Sequence, residues 1–293
     1  MNSTALALVI AASFIHATWN LLAKQIHGGA SFVWTVATFT SICYAPLVIA
    51  WLLWRPMTFG WLQVIFLVGS ALLHLIYFLV LQRGYQVGDL SVVYPLARGT
   101  GPTFSTLGAI LLFGERPTIW ALCGGAMIIA GVVIMATGGN AQTKKEPSNR
   151  SNYGKGVIFG TMTGFCIALY TLWDKQAVSH TSAIPPLILD YASSLLRMFV
   201  LLPVAISKRA EVRQYATTHL WPVLAIALLN PLSFILVLTA FAFSPVSYIA
   251  PAREISILIG VIFGARFLSE GQARLRLCAS ALMLIGIIIL SLK

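Results

Sequence analysis

The chain holds 293 residues, of which 58% are hydrophobic and 9% charged, with a mean hydropathy of +0.87 and a formal net charge of +11. A water-soluble domain carries about 25% charged residues, so a chain this poor in charge cannot keep a soluble surface polar, and much of its surface must face lipid. The positive excess does not mark a nucleic-acid binder, because most Lys and Arg stand singly or in short groups between apolar runs, as they do in membrane loops.

Residues 5–22, 32–54, 61–81 and 275–292 are apolar runs close to the ~20 residues that span ~30 Å of hydrocarbon. Backbone groups in lipid need partners within their own segment, which makes these runs helices. The period-two alternation of a membrane β-barrel is absent. Turn and charge punctuation predicts ten spans, near 4–22, 32–54, 61–82, 90–113, 118–137, 155–173, 184–206, 219–242, 246–267 and 273–291. Residues 1–4 carry no basic region of a cleaved signal, so the first span reads as a retained helix. The one sustained polar stretch, 138–153, is a flexible linker near the middle. The chain thus divides into a first unit at 1–139, a linker at 140–153 and a second unit at 154–293.

The two units repeat. Arg98, Glu115, Cys123 and Gly131 recur 155 positions later as Arg253, Glu270, Cys278 and Gly286, and Lys24-Gln25 recurs 151 positions later as Lys175-Gln176. Five helices per half is an odd number, so the second half enters the membrane from the opposite side. The expected fold is all-α and integral to the membrane, with ten transmembrane helices in two inverted five-helix repeats. Carriers built this way bind substrate near the midplane, between the halves. The four cysteines, Cys43, Cys123, Cys166 and Cys278, lie inside apolar helices without paired spacing. They read as small core residues, not as metal ligands or a disulfide framework.

Residues 88–102 (GDLSVVYPLARGTGP), 112–117 (LFGERP) and 124–131 resemble the fourth and fifth helices of an EamA repeat of the drug/metabolite transporter superfamily, and residues 247–253 with Ser269-Glu270 echo them in the second half. The resemblance covers essentially the whole chain. It implies a carrier in a prokaryotic inner membrane, with a central cavity lined mainly by helices 1, 3, 4, 6, 8 and 9 and both termini inside. Charge reads the other way. Lys24, Arg83, Lys144, Lys145, Arg150, Lys155, Lys208, Arg209, Arg213, Arg266, Arg274 and Arg276 follow odd-numbered helices, whereas only Arg55, Arg116, Lys175 and Lys293 lie on the opposite side. The positive-inside rule would then put both termini outside.

An ionisable group inside a span costs at least ~2.5–3.5 kcal/mol on insertion scales, which makes each one a functional candidate. Arg98 and Arg253 are repeat equivalents, each shortly after a proline (Pro95, Pro251). Pro95, Gly99, Gly101 and Pro102 are expected to interrupt helix 4. A guanidinium there would clamp a carboxylate or phosphate, unless each arginine pairs with an internal acid. Glu254, next to Arg253, points about 100° away from it. Asp190 and Arg197, two turns apart on helix 7, cannot easily meet, so each is expected to form a structural or gating ion pair elsewhere. Glu254 and Asp190 read as the only intramembrane acids.

His16, Trp19 and Asn20 share one face of helix 1. The small multidrug resistance proteins, single-repeat relatives in the resemblance, carry a glutamate near the position of His16. Without that carboxylate their cation/proton exchange does not simply carry over, although a histidine can hold a proton or donate to an anion. His74 and Tyr77 share a face of helix 3, and Tyr170 and Trp173 one of helix 6. Such aromatic faces more often pack helix to helix or sit in an interfacial belt. Glu115 and Glu270 precede helices 5 and 10 and read as their caps.

No nucleotide-binding or catalytic motif accompanies these groups, so neither an enzyme nor a cofactor or metal is expected. The reading is a carrier of a small organic anion or zwitterion, a monomer in the lipid bilayer, with Arg98, Arg253, His16, Trp19, Asn20, Tyr94, His74, Tyr77 and Glu254 shaping the small-molecule site. A multidrug or cationic-metabolite exporter, or a lipid-headgroup carrier or flippase subunit, is the alternative.

Overall fold

The computed structural model describes residues 2–26, 29–57, 59–87, 90–138, 150–179, 183–259 and 273–291. Regular structure among them is entirely helical: α1 (Ser3–Ile26), α2 (Ala30–Trp54), α3 (Trp61–Val87), α4 (Leu90–Phe113), α5 (Ile119–Gly138), α6 (Arg150–Val178), α7 (Pro186–Ser207), α8 (Arg209–Thr217), α9 (Leu220–Phe243), α10 (Val246–Ala252) and α11 (Ala273–Ser291). Six of them supply spans long and apolar enough to cross a membrane, at 3–23, 30–54, 61–87, 154–178, 186–207 and 220–243, and shorter apolar stretches lie at 119–134 and 281–290. α8 falls between two predicted spans and is short and polar, with no buried residue.

The described surface is largely apolar, and inside it small and hydroxyl residues accompany the larger apolar side chains of the core. Leu53, Trp61, Leu111 and Trp221 are each about four-fifths exposed, whereas Ser31, Thr35, Ser70, Thr163 and Thr171 are buried. Lipid tails are as apolar as leucine, so helices associate through close packing of small residues and shared hydrogen bonds. α5 and α11 show the first device. A Cβ on Gly124 would lie 2.5 Å from the backbone nitrogen of Leu290 and 2.6 Å from the carbonyl oxygen of Gly286, and one on Gly131 would meet Met283 and the carbonyl of Ala279. The helices therefore run antiparallel with backbones in contact, which only glycine permits at these points.

α2 and α9 show the second device. Pro231 inside α9 has no N–H, so the Ala227 carbonyl one turn earlier loses its helical donor. The Thr40 hydroxyl donates to that carbonyl at 3.0 Å, and one turn along α2 the Tyr44 hydroxyl donates to Leu228 O at 2.7 Å. Hydroxyls from a neighbouring helix thus complete a ladder that a proline opened.

Two expectations need correction here. α4 is continuous and not interrupted, and the hydroxyls of Thr100, Thr103 and Ser105 donate back to the carbonyls of Leu96, Gly99 and Gly101 on the same helix. The break lies in the other repeat, where α10 ends at Ala252, Arg253 and Glu254 form a turn, and helix resumes at 255–259. The amides of Glu254, Ser256 and Ile257 bond three residues back, to Pro251, Arg253 and Glu254, a tighter winding than α-helix. The cysteines also divide: Cys166 is buried, Cys43 is half-buried, and Cys123 and Cys278 are exposed on the apolar surface, so not all four are core residues.

Glu115 is a cap, but not of the helix it precedes. Its carboxylate accepts from the backbone N–H of Val246 (2.7 Å) and Ser247 (2.9 Å) and from the Ser247 hydroxyl (2.7 Å), closing the N-terminus of α10. Unbonded N–H groups and the positive end of the helix dipole draw a carboxylate there. α5 is capped by Thr118, whose Oγ1 accepts from Ala121 N at 3.2 Å. Glu270 lies outside the described residues.

Candidate functional site: a cavity between two arginines

α1, α4, α9 and the break after α10 line a small, partly open cavity of about 60 Å³, bounded by Ala12, Ser13 and His16, by Arg98, by Asn230, Ser233, Phe234 and Val237, and by Arg253 and Ser256. A second, much smaller cavity of about 10 Å³ lies among α4, α6 and α10, against Pro102, Ser105, Ile167, Tyr170, Thr171, Ala250 and Glu254. Arg98 and Arg253 line both, so the two arginines stand between the cavities.

Their circumstances differ. Arg98 Nη2 lies 3.0 Å from Glu254 Oε2, an ion pair between the halves with side chains 22% and 6% exposed. Arg253 follows the proline of α10 in the turn that breaks the helix, and it has no ion pair among the described residues. Sequence adjacency places Glu254 and Arg253 on different faces, which hands the carboxylate to Arg98 and leaves the Arg253 charge to the cavities. Serines, an asparagine and a histidine around that charge supply further hydrogen-bonding groups without adding a carboxylate to the larger cavity.

Of the residues the sequence singled out, the structure gathers Arg98, Arg253, His16 and Glu254 at these cavities. Trp19 sits beside His16, ring centroids 4.9 Å apart, but packs into the cluster of Phe32, Val36, Val223 and Ile226. Asn20 is half-turned to its own helix, donating to His16 O at 2.7 Å. Neither lines either of these two cavities. The Tyr94 side chain lies outside what is described. His74 and Tyr77 meet Tyr170, with centroids at 4.2 and 5.5 Å, and Trp173 Nε1 donates to Phe66 O at 3.0 Å, so the two aromatic faces pack on each other. Asp190 and Arg197 form no salt bridge among the described residues but act electrostatically on each other, and the Arg197 guanidinium donates to Ser193 O (3.3 Å) and Ser194 Oγ (3.2 Å) on its own helix.

Some residues escaped the sequence reading. Asn230 and Ser233 flank Pro231 in the middle of an apolar helix, a polar interruption that marks them in retrospect. The predicted span 155–173 leaves Asp174 just beyond helix 6, but α6 continues to Val178 and Asp174 is 1% exposed. Glu254 and Asp190 are therefore not the only buried acids.

The chain matches the model of the EamA-like transporter family twice, over residues 3–137 and 154–292. It is also similar to a solved structure described only as "Crystal structure of protein", at 16% identity and a TM-score of 0.79, covering 99% of this chain and 97% of that one. No curated protein sequence matches it.

Proposed function

The chain belongs to the EamA-like transporter family, and from that premise we propose that it is a carrier of a small organic anion or zwitterion, working by alternating access around the arginine-lined cavities. Arg253 is the binding cation. The single observation that carries this reading is a guanidinium on the wall of both cavities that forms no ion pair among the described residues, while its repeat equivalent is paired with Glu254. A carboxylate or phosphate would take two parallel N–H···O bonds from such a group. His16, Ser256 and Asn230 would complete its coordination.

The two halves form an inverted repeat, ten spans in all, in a prokaryotic inner membrane. The α5–α11 contact supports the inversion: Gly124 meets Gly286, and Gly131, the repeat mate of Gly286, meets Ala279, which stands 155 positions after Gly124. A contact in which i meets j′ and j meets i′ is what a two-fold axis produces. The Arg98–Glu254 pair joins the halves across that axis and would open and reform as they rock.

The test is a thermal-shift screen of purified protein in detergent, with carboxylates, phosphorylated compounds, zwitterions and organic cations, on wild type and Arg253→Ala. A ligand of the native state alone stabilises by mass action, about 2.7 kcal/mol at 100 times its Kd. Anions or zwitterions should raise the midpoint of wild type and not of the variant. Stabilisation by cations alone, equal in both proteins, would overturn the anion reading.

A further inference from the structure

Between α3 and α6, one side chain away from both cavities, lies a second buried polar centre. Asp174 is 1% exposed and neither of its carboxylate oxygens has a hydrogen-bond partner. His74 Nε2 lies 3.7 Å from Asp174 Oδ2, and His74 Nδ1 lies 2.9 Å from Ser70 O. A carbonyl oxygen only accepts, so Nδ1 carries the hydrogen. In the neutral imidazole that leaves Nε2 a bare acceptor facing another bare acceptor. The buried Ser70 hydroxyl approaches the carboxylate without completing a hydrogen bond. An unbonded carboxylate in a dry interior costs several kcal/mol. One proton between Nε2 and Oδ2 would remove that penalty, whichever atom holds it.

We propose that His74 and Asp174 form a proton-binding site, the place where a proton enters the transport cycle. Its position gives it two contacts with the cavities. The His74 ring stacks on Tyr170, which lines the smaller cavity, and meets the edge of Phe234, which lines the larger one. A proton arriving or leaving changes the charge behind both walls. Among the surrounding elements, α7 carries Asp190 and Arg197, the turn after α10 carries Arg253, and all three act electrostatically on the pair. α4 presents Arg98, already joined to Glu254, and α6 itself presents Tyr170. Lys175, the next residue on α6, is held by the carbonyls of Phe241 and Ser244, and α9 has no titratable side chain. Neutralising Arg253 with a bound anion would favour the added proton, and by linkage the proton would favour the anion. That coupling rests on the carrier reading above; the proton site itself does not.

The experiment is pH-difference infrared spectroscopy of ligand-free protein in liposomes, on wild type, Asp174→Asn, His74→Gln and Ser70→Ala. Wild type should gain the carbonyl stretch of a protonated carboxylic acid as pH falls through about 8 to 5, where a histidine-linked site titrates. Asp174→Asn should lack that band, and His74→Gln should move its midpoint by about one pH unit or more. A band of equal intensity in Asp174→Asn, belonging then to Asp190 or Glu254, overturns the proposal, as does the absence in wild type of both that band and an imidazolium band that His74→Gln removes. Should Asp174→Asn not fold, unshifted midpoints in both His74→Gln and Ser70→Ala overturn it. None of these outcomes bears on anion binding at Arg253, so the two readings fail separately.

Discussion

Breaking the Arg98–Glu254 pair from one side should cost far more than removing it whole. Glu254 is 6% exposed and Arg98 22%, with their charged atoms 3.0 Å apart. Removing one partner of a buried pair leaves an uncompensated charge, at about 3–5 kcal/mol, while replacing both by apolar groups is often neutral or stabilising. The partial exposure of Arg98 lets water reach a stranded guanidinium more easily than a stranded carboxylate. Arg98→Met, which strands Glu254, should therefore be the worse single change, near 3 to 4 kcal/mol, with Glu254→Leu at about 2 to 3 kcal/mol. The double variant should fall within about 1 kcal/mol of wild type, a coupling of several kcal/mol. Reversible unfolding in mixed micelles of mild detergent and dodecyl sulfate, followed by tryptophan fluorescence, measures all four proteins. If the two single changes simply add, within about 0.5 kcal/mol, the ion pair does not join the halves, and the argument about why Arg253 is left for a ligand loses its other half.

Thr40→Val, nearly the same shape, should cost about 1–3 kcal/mol in the same assay, because it strands the Ala227 carbonyl that Pro231 already deprives of its helical donor. Gly124→Ala should cost about 1–3 kcal/mol by forcing α5 from α11, whereas Gly154→Ala, with nothing within 4 Å of the new Cβ, should be neutral or slightly stabilising. Glu115→Gln should lower the thermal midpoint by loosening the start of α10, and Thr118→Ala should act on α5 alone, which site-specific hydrogen exchange separates. Glu211 on α8 has its carboxyl held below the usual range, first by the Ser31 hydroxyl and then by Lys208. A depressed acid contributes above its unfolded value and loses that contribution as pH falls through the folded one. The midpoint difference between wild type and Glu211→Gln should therefore be full above about pH 5 and vanish in acid.

The order of helices, their apolar faces and the internal repeat were legible in the sequence because each is local or periodic. A helix closes its hydrogen bonds within its own segment, so a run of apolar residues is sufficient evidence for one. The repeat is written in residues such as Arg98 and Arg253, whose spacing does not depend on folding. Intramembrane charge is equally visible, which is why His16, Arg98, Arg253 and Glu254 could be singled out before their meeting at one cavity was seen. Partnership was not legible. Glu115 stands next to α5 in the chain, yet it caps α10 more than a hundred residues on, because helix rotation and packing, not proximity in sequence, decide which unbonded N–H groups come within reach. Pro95 and Pro102 promised a break in α4, but that helix runs through both, and the break fell at Arg253. Asp174 looked like a loop residue until α6 ran one turn further and buried it against His74. Each case turns on which face of a helix meets which neighbour. Side-chain chemistry and period constrain that choice, and only the packed bundle makes it.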